Sequence, residues 1–333
     1  MNDRSTLADI AAAADVSVAT VSRVLNGRKG ISSVKRDAIE RLLDERGYER
    51  RHRTRRETGV IDFVIRGLET QWAMKLLRGA QLEATRAGVD LVVTTTSQRP
   101  LGAPDWVSHM TKRGTDGVVL VVSTLPQEAK ELFAKLDVPV VMIDPLGVDT
   151  DSFPNVSATD WEAGRDATEH LLSLGHRRIG FITGPIDQTC HQDRLDGYYS
   201  ALGRAGISSD PSLVREGDSL VAGGALRGGE LLDLAERPTA IISSSDEQAY
   251  GVYQAARARG LAIPDDLSVV GFDDVELCQW VTPQLTTMRQ PLEGMATEAT
   301  RMAIAMSRDQ GVTNPRVQLA SELVIRESTA PPR

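Results

Sequence analysis

Apolar residues recur along the first part of the chain with the spacing of amphipathic helices. Three short helices are predicted there, within "TLADIAAAA", "VATVSRVLN" and "ISSVKRDAIERLLDERGY", and a tight turn at "DVS" separates the first two. Ser17 is placed to cap the second helix, and Asn26 and Gly27 end it, because both residue types tolerate positive φ. Four apolar positions of this helix are predicted to face inward: Val18, Val21, Val24 and Leu25.

From residue 59 onward the pattern changes to short β-branched runs that alternate with helical segments. Examples of the runs are "GVIDFVI", "GVVLVV", "VPVVMI", "RIGFITG" and "LSVVGFDD". Such alternation predicts parallel sheets joined by right-handed crossovers. This part is too long for one such unit, so two α/β lobes are expected, with a ligand cleft at the carboxyl ends of their strands. The last residues, "STAPPR", are expected to be frayed.

Composition agrees with a globular protein, and the charge is unevenly distributed. The 333 residues are 41% hydrophobic, 25% charged and 4% aromatic, with a net charge of -8. Residues 1–58 carry 13 Lys and Arg against 9 Asp and Glu, whereas the rest carries 25 against 37. The basic excess is concentrated in "RRHRTRR", residues 50–56. A basic head on an acidic body indicates a polyanionic partner for the head, although a solvated linker would have the same composition.

Other sequence features narrow the location and the function class. There is no apolar run long enough for a membrane helix and no apolar signal core, so a cytoplasmic protein is expected. Cys190 and Cys278 are not in a metal-ligand spacing and are expected to be reduced thiols. The chain lacks a phosphate-binding loop, a dinucleotide-binding fingerprint, a GxSxG elbow and a metal-ligating histidine pair. We therefore expect no enzyme, no cofactor and no metal.

The helix, turn and helix at the start have the pattern of a helix-turn-helix, whose second helix presents side chains to base edges. Val18, Ala19 and Thr20 are small enough for close approach, and Arg23 has the geometry for a bidentate contact with guanine. Hydroxyl and amide side chains suit phosphate and sugar oxygens. An ordinary three-helix bundle would have similar outward positions, so spacing alone leaves both interpretations open. The candidate DNA-binding residues of the head are Thr6, Ser17, Val18, Ala19, Thr20, Ser22, Arg23 and Asn26.

The chain resembles the lactose-repressor (LacI/GalR) family of bacterial transcription regulators over nearly its whole length. The resemblance lies in "TLADIAAAADVSVATVSRVLNG" and then, in the family's order, in "VPVVMID", "HLLSLGHRRIGFITG", "DLSVVGFDD" and "LTTMRQP". It implies a body like the periplasmic sugar-binding proteins, with three crossovers between lobes. The implied division is a head at 1–48, a linker at 49–58, a first lobe at 59–157 plus 290–318, and a second lobe at 158–289 plus 319–330.

The resemblance also carries over effector-binding residues. Asp144 at the end of "VVMID" corresponds to a cleft acid, and Ser245 stands where the family usually has asparagine. Trp72 is placed to stack on a sugar ring, with Trp161 and Trp280 as further candidates, although core packing explains a tryptophan equally well. The candidate effector-binding residues are Glu69, Trp72, Asp144, Cys190, Arg194, Ser245, Asp273 and Gln290.

The linker departs from the family pattern. "GYERRHRTRRETGV" lacks the proline, asparagine and wedge leucine that the family has between the head and the body. Minor-groove kinking by an apolar wedge is therefore not expected. Its arginines suit electrostatic contact with phosphates or the minor groove, which would make DNA binding strongly salt-dependent. The linker candidates for DNA binding are Arg50, Arg51, Arg53 and Arg55.

The sequence thus predicts a homodimeric regulator, most simply a repressor of a carbohydrate-utilisation operon. It would bind a palindromic operator and be released by a sugar in the cleft between the lobes. The alternative is a two-lobed sugar-binding or sugar-modifying protein whose head mediates association. A purine or a sugar phosphate is also open as the effector.

Overall fold

The computed structural model describes residues 7–14, 16, 17, 20, 21, 24, 33–45, 58–97, 109, 110, 112–121, 127–136, 138–145 and 153–333. The chain forms two compact units, Met1–Glu57 and Thr58–Arg333. We call them the head and the body.

The described part of the head contains helices on either side of a short helical stretch. Helix α1 spans Leu7–Ala13 and α2 spans Ser33–Glu45, and Thr20 lies in helical backbone between them. The amide of Thr20 donates to Ser17 Oγ at 3.2 Å, which is the N-cap bond that the sequence predicts. The side chains that form the small core come from all three segments: Ile10, Ala11, Val21, Val24, Ile39 and Leu43.

The first sheet of the body is fully parallel, with strand order β11-β5-β4-β3-β1-β2. Its strands are β1 (Val60–Ile65), β2 (Asp90–Thr95), β3 (Gly117–Val121), β4 (Val140–Ile143), β5 (Asn155–Ala158) and β11 (Arg316–Leu319). Side chains along β3 alternate between two cores, because successive residues of a strand face opposite sides. Val118 and Leu120 pack with Phe133, whereas Val119 and Val121 pack on the opposite face of the sheet.

The second sheet has strand order β12-β10-β9-β8-β6-β7, and only the edge pair β10–β12 is antiparallel. Its strands are β6 (Ile179–Thr183), β7 (Val214–Glu216), β8 (Ala240–Ser243), β9 (Ser268–Asp273), β10 (Thr286–Arg289) and β12 (Glu322–Val324). Four of these strands, β6, β8, β9 and β10, are buried on both faces apart from Arg289, as expected for a sheet with helices on both sides.

Helices cover both faces of each sheet. They are α3 (Gln71–Ala87), α4 (Gln127–Leu136), α5 (Asp160–Ser173), α6 (Thr189–Arg204), α7 (Val221–Leu232), α8 (Asp246–Ala258), α9 (Leu277–Trp280) and α10 (Leu292–Ser307). The chain passes between the sheets three times, through α5, through α10 and in the turn from β11 to β12. The body is therefore two-lobed, as the sequence predicts, and has the three crossovers that the resemblance to the family implies.

Close packing of α5 against α6 depends on two glycines. A Cβ atom on Gly164 would lie 2.0 Å from the carbonyl oxygen of Arg194, and one on Gly197 would lie 2.1 Å from that of Trp161. Only glycine permits this approach of the two backbones. The crossing fixes the first turns of α6 beside the start of α5, which is where the buried charges described below meet.

The expectation of a frayed C-terminal tail is wrong. Ser328 is fully buried, and its carbonyl accepts from the amide of Val269 at 2.9 Å. The amide of Ala330 donates to Ser268 Oγ at 3.0 Å, and the carbonyl of Ala330 lies 2.9 Å from His176 Nε2. The tail is ordered because its backbone groups find these partners beside β9.

Candidate functional site

A cavity of about 340 Å³ lies between the two lobes. Its wall includes residues that end or follow strands of the first sheet, such as Arg66, Val121 and Asp144. The second sheet contributes Ser244 and Asp273 in the same way. The cavity thus occupies the crevice at the carboxyl ends of the strands, which is the usual ligand position in open α/β sheets.

Seven of the eight residues that the sequence singles out for effector binding line this cavity. They are Glu69, Trp72, Asp144, Cys190, Arg194, Ser245 and Asp273. Gln290 is not among the wall residues, although it is buried. Its Nε2 donates to Asp160 Oδ1 at 3.1 Å, so it contacts the site through another side chain.

Arg194 is the central cation of the site and is almost completely buried. Its Nε donates to Asp160 Oδ1 at 2.7 Å, and one terminal nitrogen donates to the carbonyl of Ser244 at 2.7 Å. Its guanidinium carbon lies 4.6 Å from the centre of the Phe272 ring, on which it stacks. Two of the guanidinium nitrogens thus donate to protein acceptors, and these bonds hold the planar group in one orientation.

Asp160 is a buried partner of Arg194 that the sequence interpretation missed. It is the first residue of α5, directly after the strand β5 and Thr159, and it is 4% exposed. Its place shortly after a strand end is a signal that the sequence offers, since ligand sites lie at that edge of a parallel sheet. However, only the crossing of α5 and α6 brings it against Arg194.

Asp144 lines the cavity, and its carboxyl group can accept a hydrogen bond or, when protonated, donate one. Its backbone is left-handed, with φ 47°, and its amide donates to Val156 O at 3.0 Å. Its Oδ1 is buried and has no hydrogen-bond partner among the described residues. Burial, together with repulsion from Asp160, raises the pKa of Asp144 to about 8. The Asp144 carboxyl is therefore mostly protonated at neutral pH.

His191 and Cys190, on the first turn of α6, add two groups that stay uncharged. Burial lowers the pKa of His191 to about 3, with Arg194 contributing, and its Nδ1 has no partner within the described chain. Burial raises the pKa of the Cys190 thiol, so the thiol remains protonated. Sequence reasoning missed His191, since a single histidine on a helix carries no specific signal.

Ser245 and Asp273 are positioned by the second lobe. Ser245 caps α8 by accepting from the amide of Gln248 at 3.1 Å, and its hydroxyl donates to Ser219 O at 2.8 Å. Both hydrogen bonds of the serine hydroxyl are thus made within the protein. Asp273 has a left-handed backbone with φ 110°, and burial raises its pKa well above the ordinary value.

Of the tryptophans proposed to stack on a ligand, only Trp72 lines the cavity, where it is half-buried. Trp161 packs instead beneath the guanidinium of Arg165, at 5.5 Å, and Trp280 is 69% exposed. The stacking role expected of Trp161 and Trp280 is therefore not supported by their positions.

In the head, the structure describes two of the candidate DNA-binding residues. Ser17 is exposed, Thr20 is half-buried, and their hydroxyl oxygens lie 2.9 Å apart. The remaining candidates lie outside the described residues: Thr6, Val18, Ala19, Ser22, Arg23, Asn26, Arg50, Arg51, Arg53 and Arg55.

Within the described parts of the chain, no helix has the length and apolar character needed to cross a bilayer. In the same residues, no group of three or more His, Cys, Asp or Glu side chains is arranged to hold a metal ion.

Comparison with known proteins identifies both units. Residues 6–51 match the model of bacterial regulatory proteins of the lacI family, and residues 168–329 match a periplasmic binding protein-like domain. The HTH-type transcriptional regulator DegA of Bacillus subtilis is 32% identical over 341 residues, covering 98% of this chain and 99% of DegA.

Two solved structures are similar over almost the whole length. A transcriptional regulator CelR–cellobiose complex has a TM-score of 0.76 and 30% identity, with 98% of this chain and 100% of that chain covered. The lac repressor dimer bound to operator and the anti-inducer ONPF has a TM-score of 0.72 and 26% identity, with the same coverage. The chain therefore belongs to the lacI family of bacterial regulatory proteins, and it is a transcriptional regulator, not an enzyme.

Proposed function

We propose that the chain is a homodimeric repressor of a carbohydrate-utilisation operon, released from a palindromic operator by a sugar that binds between the lobes. The observation that carries the proposal is a set of buried polar atoms without partners in the described chain, on the cavity wall: Asp144 Oδ1, His191 Nδ1 and Ser244 Oγ. Unpaired buried polar atoms are costly, and ligand hydroxyl groups, which both donate and accept, would satisfy them.

The effector site in this proposal consists of the seven wall residues together with Gln290, which acts through Asp160. Trp72 supplies an apolar face, and the acids and Arg194 supply the polar contacts. The similar CelR was solved with cellobiose, which makes cellobiose the first candidate effector. A purine or a phosphorylated sugar is the competing ligand class.

The DNA-binding site consists of the head residues Ser17 to Asn26, with Thr6 and the linker arginines as phosphate contacts. The proposed domain division is the one expected from the sequence: head 1–48, linker 49–58, first lobe 59–157 plus 290–318, and second lobe 158–289 plus 319–330. A ligand shifts operator affinity only by its differential binding to two lobe arrangements, typically by about 1–3 kcal/mol.

The proposal of a homodimer is supported by large apolar side chains on the body surface. Met74 and Leu82 on α3 are 51% and 56% exposed, and Leu226 and Trp280 on the second lobe are 59% and 69% exposed. A second copy of the chain would cover them, as the similar lac repressor is a dimer on its operator. Sedimentation of the full chain should show a dimer, and a monomer at all concentrations would contradict this part of the proposal.

Operator recognition is tested by gel-shift titration with the DNA upstream of the gene, repeated across salt concentrations. We expect Arg23→Ala to lose about 1–3 kcal/mol of specific binding, because it removes a base contact. The matched control is Arg41→Ala, because Arg41 is an exposed arginine on α2 and its replacement removes the same charge. Binding with no sequence preference would favour the alternative of a sugar-binding protein whose head mediates association.

Effector binding is tested by thermal-shift and calorimetric titration with cellobiose, glucose, glucose 6-phosphate and adenine. A neutral sugar should stabilise the protein and release it from operator. Asp273→Asn should bind operator but resist release, whereas the exposed control Asp265→Asn should respond normally. Normal release of Asp273→Asn would show that the cleft residues are wrongly assigned.

A further inference from the structure

The first turns of α3, in the first lobe, are hydrogen-bonded to two separate segments of the second lobe. The amide of Gln71 donates to Glu247 Oε1 at 2.8 Å, and the amide of Leu277 donates to Gln71 Oε1 at 3.0 Å. The Lys75 ammonium donates to the carbonyl of Asp274 at 2.7 Å. We call these five residues the latch.

The latch and the cavity share their walls. Thr70 and Trp72 line the cavity on either side of Gln71, which does not. Glu247 belongs to both the latch and the cavity wall, and Asp273 lines the cavity directly before Asp274. A ligand that moves any of these wall residues therefore also moves a latch residue or its neighbour.

The second-lobe side of the latch is held in place by contacts within its own lobe. Asp274 has a left-handed backbone with φ 53°, and its carboxylate is paired with Arg289 and Arg326. Just beyond it, the amide of Val275 donates to the buried carboxylate of Asp246 at 2.9 Å. The carbonyl of Asp274 is thus fixed as an acceptor, which lowers the entropic cost of the bond from Lys75.

The first-lobe side is equally well supported. Thr70 caps α3, since the amide of Ala73 donates to its hydroxyl oxygen at 3.2 Å. The same helix packs along α10, and a Cβ atom on Gly79 would lie 2.1 Å from the carbonyl oxygen of Glu293. Gln71 and Lys75 therefore project from a rigid element, and the latch joins two rigid bodies at one edge of the cleft.

We propose that Gln71 and Lys75 are positioning residues that hold the two lobes in the arrangement that forms the cavity, so that the latch sets the balance between lobe arrangements before any effector binds. Its link to DNA rests on the proposed function. Only three crossovers join the lobes covalently, so non-covalent contacts of this kind decide how far the lobes open. A bond made by a charged donor changes such a balance by about tenfold.

Hydrogen exchange of the full-length chain, resolved to the amides of Gln71 and Leu277, tests the latch without any ligand. Lys75→Met should raise the exchange rate at both amides by about tenfold, because it removes one of three bonds and the others open more often. Lys75→Arg keeps a donor and should restore slow exchange. The matched control is Arg78→Met on the same helix, whose partner Glu293 lies within the first lobe at 3.5 Å, and it should leave both amides unchanged.

Unchanged exchange at both amides in Lys75→Met would overturn the proposal, and so would equal acceleration in Arg78→Met. Operator titration of the same proteins is a separate measurement. If the latch is coupled to the head, Lys75→Met changes operator affinity in the absence of sugar and Lys75→Arg restores it. An absence of specific operator binding in the unaltered chain would refute the proposed function, while the exchange data would still decide whether the latch exists.

Discussion

The buried pair of Arg194 and Asp160 leads to a quantitative prediction about stability. The two side chains are 5% and 4% exposed, and their Nε and Oδ1 atoms lie 2.7 Å apart. Arg194→Met removes the cation and leaves Asp160 in a desolvated site with the Gln290 amide as its neighbour. Removing one member of a buried pair costs about 3–5 kcal/mol, because the other charge is left uncompensated.

Asp160→Asn should cost less, about 1–3 kcal/mol, since the amide oxygen still accepts from Arg194 and Gln290. The double variant, Asp160→Asn with Arg194→Met, leaves no unpaired charge at either position. We therefore expect its loss to be smaller than the sum of the single losses, with a coupling of up to about 3 kcal/mol.

Differential scanning calorimetry of the full chain measures these losses. A loss of 1 kcal/mol lowers the Tm of a domain of this size by roughly 2–4 °C, so Arg194→Met should lower it by on the order of 10 °C. The more exposed pair of Arg301 and Glu298 on α10, whose side chains are 52% and 24% exposed, is the matched control and should give little loss and little coupling. Additive losses at Asp160 and Arg194 would refute the reasoning, because they would mean that neither group compensates the charge of the other.

Three further predictions follow from individual contacts. Since the pKa of Asp144 is raised to about 8 in the folded protein, folding takes up a proton from about pH 4 to pH 8, and this group's contribution to stability falls as pH rises through that window. The Tm of Asp144→Asn minus the Tm of the unaltered chain should therefore be larger at about pH 8 than at about pH 5. An equal Tm difference at the two pH values would contradict this. Gly197→Ala should destabilise the body, because its Cβ would lie 2.1 Å from Trp161 O. A Cβ at Gly203, on the same helix, would have no atom within 4 Å, so Gly203→Ala should stabilise the protein by about 0.5–1 kcal/mol. Similar effects of the two glycine substitutions on urea unfolding would contradict the packing argument. Deleting residues 328–333 should lower the Tm by several degrees, because it removes the backbone partners of Val269 and Ser268, and an unchanged Tm would restore the view that the tail is frayed.

The position of the cleft was predictable because parallel strands all end at the same edge of their sheet. Asp144 and Asp273 were expected there from the resemblance to the family, and both end or follow strands that the sequence identifies by their apolar runs. Arg194 came from the resemblance to the family, and the structure brings it to the same cavity. Position relative to a strand end is a local property, which explains why the cleft could be located from the sequence.

The contacts of those residues were not predictable. Asp160 pairs with Arg194 only because two glycines let α5 and α6 approach, and Gln290 contacts Asp160 and not the cavity. Ser245 stood at a position associated with a ligand contact, yet its hydroxyl donates to Ser219 O. Each outcome depends on a partner that is distant in sequence.

The sequence by itself determined the class of this protein, because helical and strand periods and the helix-turn-helix motif are set by residues within a few positions of one another. It indicated an all-α head, a two-lobed α/β body and a family of transcriptional regulators. Only the tertiary structure decided which acid neutralises Arg194, which tryptophan lines the cavity, where the tail lies and that Gln71 and Lys75 join the lobes. Those features depend on long-range packing and on burial, which shifts a pKa or leaves a polar atom unpaired only once distant segments have come together.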